Sequence, residues 1–246
     1  MPESLKTRHR QNEWMDSPDA DPEELARSLV FIRRINSWLG YSRATIHHLN
    51  RLASGWDSRV ELKILDVATG SGDIPRAILR WADRRKLKCR ITAIDLHQST
   101  LTAAIAEGRD DRLQFTRADA TALPFADGSF DFVLTGMFLH HLDESAAIKV
   151  LQEMDRVANH AVIAADLIRS RRAYFWISLF TLLANPMVKH DARVSVAGAF
   201  SRDELISLCG KAGLDYLKPH RHFGHRLVLA GLCAASGKSG SPTIPS

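Results

Sequence analysis

The sequence predicts an α/β protein built on a doubly wound, mostly parallel sheet. Three observations predict it. The apolar run at 63–68 gives way to the small-residue loop ATGSG (68–72) and then to helical periodicity from Ile74 to Trp81. Strand-then-helix alternation recurs up to about residue 166, and connections of that kind are crossovers between parallel strands. The chain closes with two strand-like segments joined by a short link, which suits an antiparallel hairpin.

Taken in order, residues 1–20 are polar and charged and are expected to be disordered, as is the Ser-, Gly- and Pro-rich tail at 236–246. An N-terminal helical cap is expected over 21–57. Asp21 reads as an N-cap, Pro22 as a first-turn proline, and Glu23 and Glu24 as first-turn acids. Leu25, Leu29, Ile32 and Ile35 follow at helical spacing, and Gly40 stops the helix. A second helix is expected over 43–53. The core, 58–169, reads as strand 63–68, helix 73–82, strand 90–95, helix 98–107, strand 112–117, strand 130–135, helix 143–157 and strand 160–166. An insertion at 170–200 holds a nearly all-round apolar helix at 173–183 that ends at Asn185-Pro186. Helix 202–212 and strands 214–219 and 223–231 complete the core over 201–235. The result is a Rossmann-like sheet of seven strands, with N-terminal helices and a helical lid insertion.

The loop at 68–72 is built to let a ligand press against bare backbone. Gly70 and Gly72 tolerate positive φ and carry no Cβ, while Asp73 starts the helix and Pro75 suits its first turn. Loops of this kind hold nucleotides. The strand at 90–95 ends in Asp95, roughly 20 to 25 residues after the glycines, where doubly wound folds put a ribose-binding acid. NAD and S-adenosylmethionine both fit to this point. Against NAD, Pro75 and Arg76 occupy the region of the third glycine of GxGxxG, whose absence denies a pyrophosphate its close helix approach. A second acid, Asp119, follows the third strand and suits the exocyclic amine of an adenine.

The ordered set LDVATGSGD (65–73), AIDL (93–96), RADATALPFADGSFD (117–131) and TGMFLHHLD (135–143) resembles the class I S-adenosylmethionine-dependent methyltransferases, in particular the ubiquinone/menaquinone-biosynthesis C-methyltransferase branch. The resemblance covers about 60–170. It implies that Asp66, Ala68, Thr69, Gly70 and Gly72 surround the methionine end of S-adenosylmethionine and that Asp95 and Leu96 lie at the ribose. It also implies that Asp119 and Ala120 meet the adenine, and that Gly136 and Met137 close the pocket. Ala68 departs from the pattern, since many relatives carry a glycine there.

Bulk properties agree with one compact enzyme. The chain has 246 residues, 45% hydrophobic and 25% charged, enough to bury a full core in one large α/β domain. Cys89, Cys209 and Cys233 are odd in number and lack ligand spacing, which argues for reduced thiols, no structural zinc and a cytoplasmic setting. The net charge of +5 and pI near 9.3 invite a nucleic-acid partner. The basic residues, however, are scattered among acids, with Arg84-Arg85-Lys86 and Arg169 to Arg172 the densest groups, and no nucleic-acid-binding signature accompanies them. Solvated helix faces are the reading, with RNA methylation a minor alternative.

The insertion at 170–200 is where an acceptor would be selected. A helix such as 173–183 is either core packing or a lid over an apolar substrate, for which its Leu, Phe and Trp would favour an aromatic or prenylated acceptor. It is too short to span a bilayer, and contact with a membrane surface through 169–176 is a third reading. Methyl transfer from a sulfonium needs mainly alignment and exclusion of water, with a base if the acceptor is a phenol or alcohol. His190 beside Asp191 is the first choice for that base, and His140, after the fourth strand, the second. His47-His48 and His220-Arg221-His222 lack partners at metal-ligand spacing, so no metal is expected. The expectation is methyl transfer to an oxygen or activated carbon of an apolar phenol, quinone precursor or polyketide-like molecule. A cofactor-binding partner protein without turnover is the alternative from another class, and an NAD-dependent oxidoreductase a weaker third. Oligomeric state is not legible.

Overall fold

A computed structural model describes residues 5–11, 13–16, 21, 23, 24, 27, 28, 31, 40–223 and 225–233. Most of the helix expected from Asp21 to Gly40, with Pro22, Leu25, Leu29, Ile32 and Ile35, lies outside these residues, as do the two ends at 1–4 and 234–246. Seven strands form one sheet: β1 (Leu62–Val67), β2 (Cys89–Asp95), β3 (Leu113–Arg117), β4 (Phe130–Gly136), β5 (Ala158–Leu167), β6 (Lys218–His222) and β7 (Arg226–Leu232). The order is β3-β2-β1-β4-β5-β7-β6. The first five strands are parallel, with Asp66 level with Ala93, and β7 runs antiparallel between β5 and β6, with Leu167 level with Arg226.

The helices are α1 (Tyr41–Leu52), α2 (Asp73–Arg85), α3 (Gln98–Ala106), α4 (Glu144–Val157), α5 (Arg171–Phe180), α6 (Pro186–Gly198) and α7 (Arg202–Ala212). Side chains alternate in direction along each strand, which divides the sheet's apolar residues between two cores. Leu65 and Val67 of β1 pack with Val150, Leu151 and Met154 of α4 and with Leu205 and Leu208 of α7. Leu62 and Ile64 pack with Leu49 of α1 and with Ile78 and Trp81 of α2 on the other face. Between β1 and β4 the strand order reverses, which opens a crevice beyond the carboxyl ends of the strands.

Local chemistry explains where the elements differ from expectation. Asn185-Pro186 does not merely end the apolar helix: Asn185 Oδ1 accepts from the Val188 amide at 2.9 Å and Pro186 takes the first turn, so the pair starts α6. His190 and Asp191 therefore lie on a helix. The strand expected at 214–219 is displaced to Lys218–His222. Gly213 ends α7 in the left-handed region, and Leu214 donates its amide to Cys209 O at 2.9 Å, so Leu214 and Leu217 bury as a helix terminus. The histidines at 47–48 and 220–222 meet across α1 and β6, with His48 Nε2 2.7 Å from His222 Nε2. Cys89, Cys209 and Cys233 form no disulfide among the described residues.

Two further expectations are corrected. Part of the N-terminal segment expected to be disordered is docked: His9 donates its amide to Ala197 O at 3.2 Å, and Arg8 donates to His140 O at 2.9 Å and lies over the Phe200 ring. Arg169 is no solvated cation. Buried, it bridges Glu204 with bonds of 2.8 and 2.7 Å and donates to Ala199 O, tying the end of β5 to the start of α7.

Candidate active site

The loop after β1 has the backbone its composition suggested. Ala68, Gly70 and Gly72 take φ of 56°, 56° and 74°, so Ala68 meets the conformation a glycine would adopt more freely. Asp95 holds the loop in place: its Oδ2 accepts from the Gly70 amide at 3.1 Å and its Oδ1 from the His97 amide at 3.0 Å. Leu96 beside it is half exposed. At the end of β3, Asp119 Oδ1 accepts from the amide and the hydroxyl of Thr121, both at 2.8 Å, which holds its carboxyl below the usual range. Ala120 is partly buried beside it.

Two polar atoms are orphaned in the floor of this crevice. Asp66 Oδ2 and Thr69 Oγ1 are buried without a hydrogen-bond partner among the described residues. Burial outweighs the opposing influence of the neighbouring Thr69 side chain and, with Asp95 nearby, pushes the Asp66 carboxyl up to about 7. An acid kept in this state wants a cationic or donor-rich ligand group. Gly136 makes room for a neighbour: a Cβ there would overlap the phenol of Tyr41, reaching over from α1.

Beyond Met137, which takes φ of 55°, a second cavity of about 210 Å³ opens under α5 and α6. Met137, Leu167, Trp176, Ile177, Phe180 and Val188 supply its apolar wall. His140, His141, Glu13, Asp191, Ser195 and Arg226 supply polar lining. Met137 directly follows β4, so the cavity adjoins the crevice at the carboxyl end of that strand. Arg226, buried, donates to Met137 Sδ at 2.9 Å and stacks 5.0 Å from the Tyr41 ring.

His140 sits in the short 3-10 helix Leu139–His141 and is 5% exposed. Its Nδ1 lies 2.6 Å from Asp166 Oδ1, while Asp166 Oδ2 accepts from the His140 amide at 2.8 Å and Oδ1 from the Leu167 amide at 2.7 Å. With Nδ1–H donating to the carboxylate, Nε2 is left as an acceptor, 3.9 Å from Glu13 Oε1. Burial alone lowers the pKa of this histidine, but Asp166 and Glu13 outweigh it and the net direction is upward. Asp166 shifts downward: burial raises it, and the charge and hydrogen bonds of His140 with two backbone amides outweigh that.

The histidine–aspartate pair that the sequence suggests at 190–191 is present, and a second one, which the sequence does not pair, lies at 140 and 166. His190 does not line the cavity: its ring stacks on Trp14 at 4.1 Å and its Nδ1 lies 2.9 Å from Asp191 Oδ1. Asp191, almost fully buried, accepts from the amides of Trp14 and Met15 at 2.7 and 3.0 Å. It anchors the segment that carries Glu13, whose carboxylate accepts from the Ser195 hydroxyl. Asp166 stands at the carboxyl end of a strand, where doubly wound sheets bind ligands, so a signal for it existed. Arg226, a lone cation in an apolar strand, was a second. Glu13 and Tyr41 carry none, because only folding brings them here. The same folding gathers ligand-type atoms of Glu13, His140 and His141 within 4.8 Å of one another, a metal-type cluster that spacing along the chain did not suggest.

Comparison with known proteins gives this geometry a family. Residues 64–161 match the family described as a methyltransferase domain. A demethylmenaquinone methyltransferase from Porphyromonas gingivalis is 31% identical over 169 residues, covering 61% of this chain and 66% of that protein. One from Roseiflexus sp. is 33% identical over 105 residues, covering 43% and 42%. The chain therefore spans less than two thirds of the length of these relatives. Among solved structures, the plantazolicin methyltransferase BamL in complex with a triazolic desmethylPZN analog and SAH aligns with a TM-score of 0.64 at 14% identity, over 84% of this chain and 73% of that one. At that identity the likeness is one of fold. Sheet order, loop and matched domain together make this chain a member of the class I S-adenosylmethionine-dependent methyltransferases, distantly related to the ubiquinone/menaquinone C-methyltransferases.

Proposed function

We propose that this chain transfers the methyl group of S-adenosylmethionine to a hydroxyl oxygen of an apolar small molecule, a phenol or a related ring-bearing acceptor, held under α5 and α6. The buried His140, which lines the cavity and is paired with Asp166 behind it, carries the reading. On a hydroxyl acceptor the pair has a proton to take as the oxygen attacks the methyl group. The demethylmenaquinone in the relatives' name supports an apolar acceptor.

On the cofactor side, Asp66 with its orphaned oxygen would take the amino group of the methionine moiety, the bare backbone of Gly70 and Gly72 would lie against it, Asp95 would accept from the ribose hydroxyls, and Asp119 would face the adenine amine. When bound, S-adenosylmethionine supplies an electrophilic methyl group on a sulfonium that leaves without activation. The protein's own work is then alignment, dryness and one proton. Trp176, Ile177 and Phe180 keep water from the acceptor, as a lid does. His140 Nε2 takes the hydroxyl proton, Asp166 holds the ring in the required tautomer, and Glu13 steadies the imidazolium.

The test is a screen of phenols, quinols and fatty acids with labelled methyl donor, followed by His140→Gln on the acceptor found. Loss of about 10²-fold or more in kcat with cofactor binding intact is expected. Undiminished turnover would remove the base; cofactor binding with no acceptor methylated would favour a partner protein without turnover. The Glu13–His140–His141 cluster motivates one second reading, a divalent ion that binds the acceptor oxygen. Treatment with a chelator leaves the rate unchanged if His140 is a base, whereas a loss restored by zinc would favour the ion.

A further inference from the structure

We infer that α5, the turn after it and the β6–β7 hairpin form a docking face for an anionic lipid bilayer. Arg172, Phe175, Leu179 and Leu182 recur at i, i+3, i+7 and i+10, a stripe along one side of the helix and its following turn. All four are exposed, while Ala173 and Thr181 on the other side are buried. Leu183 is 97% exposed, and Phe223 at the hairpin tip 80%. A water-facing surface gains nothing from these side chains. Where the start of α5 meets the hairpin lies a pocket lined by Arg171, Arg172, Arg221, His222 and His225, with no acidic side chain in its wall. Among the described residues, no carboxylate pairs with Arg171, Arg172 or Arg221. Cations flanked by exposed aromatic and leucine side chains match the boundary of a bilayer, where phosphate headgroups meet acyl chains.

The face sits on the surface and does not cross it, since no helix among the described residues is long and apolar enough to span a membrane. Its position also suits the apolar cavity. Trp176 and Phe180 are at once cavity wall and exposed surface, so a lipid-dissolved molecule would enter beneath α5 without passing through water. A second copy of this chain is the rival occupant, and charge decides against it: the arginines of one copy would meet those of the other across a self-paired face.

The test is flotation of the full chain with vesicles of phosphatidylcholine alone and of phosphatidylcholine with phosphatidylglycerol. It reads binding, so its failure leaves the proposed methyl transfer untouched. Binding to the anionic vesicles is expected, weakened at roughly 1 M salt, where screening shortens to about 3 Å. The double variant Arg171→Glu, Arg172→Glu should lower partitioning by roughly thirtyfold or more, as two cations at a bilayer surface imply. Phe223→Ser with Leu182→Ser, which lie outside the cavity wall, should lower it while leaving melting temperature and cofactor binding intact. Equal partitioning of all variants, or no binding to either vesicle, overturns the inference. So does a dimer in solution that Leu182→Ser dissolves, with vesicles left unbound.

Discussion

Replacing Asp166 with Asn tests the proposed proton transfer without touching the group that accepts the proton. The carboxylate receives three hydrogen bonds: His140 Nδ1 at 2.6 Å, the His140 amide at 2.8 Å and the Leu167 amide at 2.7 Å. An asparagine can satisfy only part of this set. If its oxygen faces Nδ1, its NH2 opposes the His140 amide, and the buried unpaired donors cost about 1 to 3 kcal/mol of stability. If its NH2 faces Nδ1, the ring is forced into the tautomer with a proton on Nε2, and no acceptor remains for the substrate's proton. Either way kcat should fall by roughly 10² to 10⁴, the range for a disabled base or a lost tautomer. The pH profile separates catalysis from packing. In the parent enzyme His140 has a raised pKa, so the rate climbs with pH through a point above the ordinary 6.5 or so of histidine. In the variant, burial is no longer opposed by Asp166, so the acid limb should move to lower pH even as the plateau drops. The assay is kcat and kcat/KM across about pH 5 to 9, with cofactor binding followed by calorimetry. An acid limb in the same place in both proteins, or a rate loss that merely tracks the unfolded fraction, would refute the reasoning.

Other expectations are independent of it. Because the Asp66 carboxyl is raised to about 7, an ammonium partner requires it to ionise, so S-adenosylmethionine affinity should fall by up to about tenfold per pH unit below 7, and Asp66→Asn should flatten that dependence in calorimetry. Gly136→Ala drives a methyl group into Tyr41 and should cost about 1 to 3 kcal/mol in thermal denaturation, with partial recovery on adding Tyr41→Phe; an undisturbed melting temperature would mean that the helix yields freely. His190→Gln should leave kcat unchanged and stability within about 1 kcal/mol, since the ring packs on Trp14 outside the cavity. A hundredfold rate loss there would return the base to position 190.

The sequence by itself determined the sheet, the loop and the cofactor. Each of these is local: apolar runs of strand length, a helix start at Asp73, small residues at 68–72, and acids at the ends of β2 and β3 all follow from residues adjacent in the chain. The start of α6 was legible too, in Asn185-Pro186, but the same dipeptide can close one helix or open the next, and only packing chooses. What tertiary structure decided is the acceptor side. His140 meets Asp166 because β4 and β5 are parallel neighbours whose carboxyl ends face the same crevice. Glu13 reaches His140 because buried Asp191 captures the amides of Trp14 and Met15. These are contacts between residues 26 to about 180 positions apart. No periodicity records them, because a buried charge chooses its partner by geometry and desolvation after the sheet has formed.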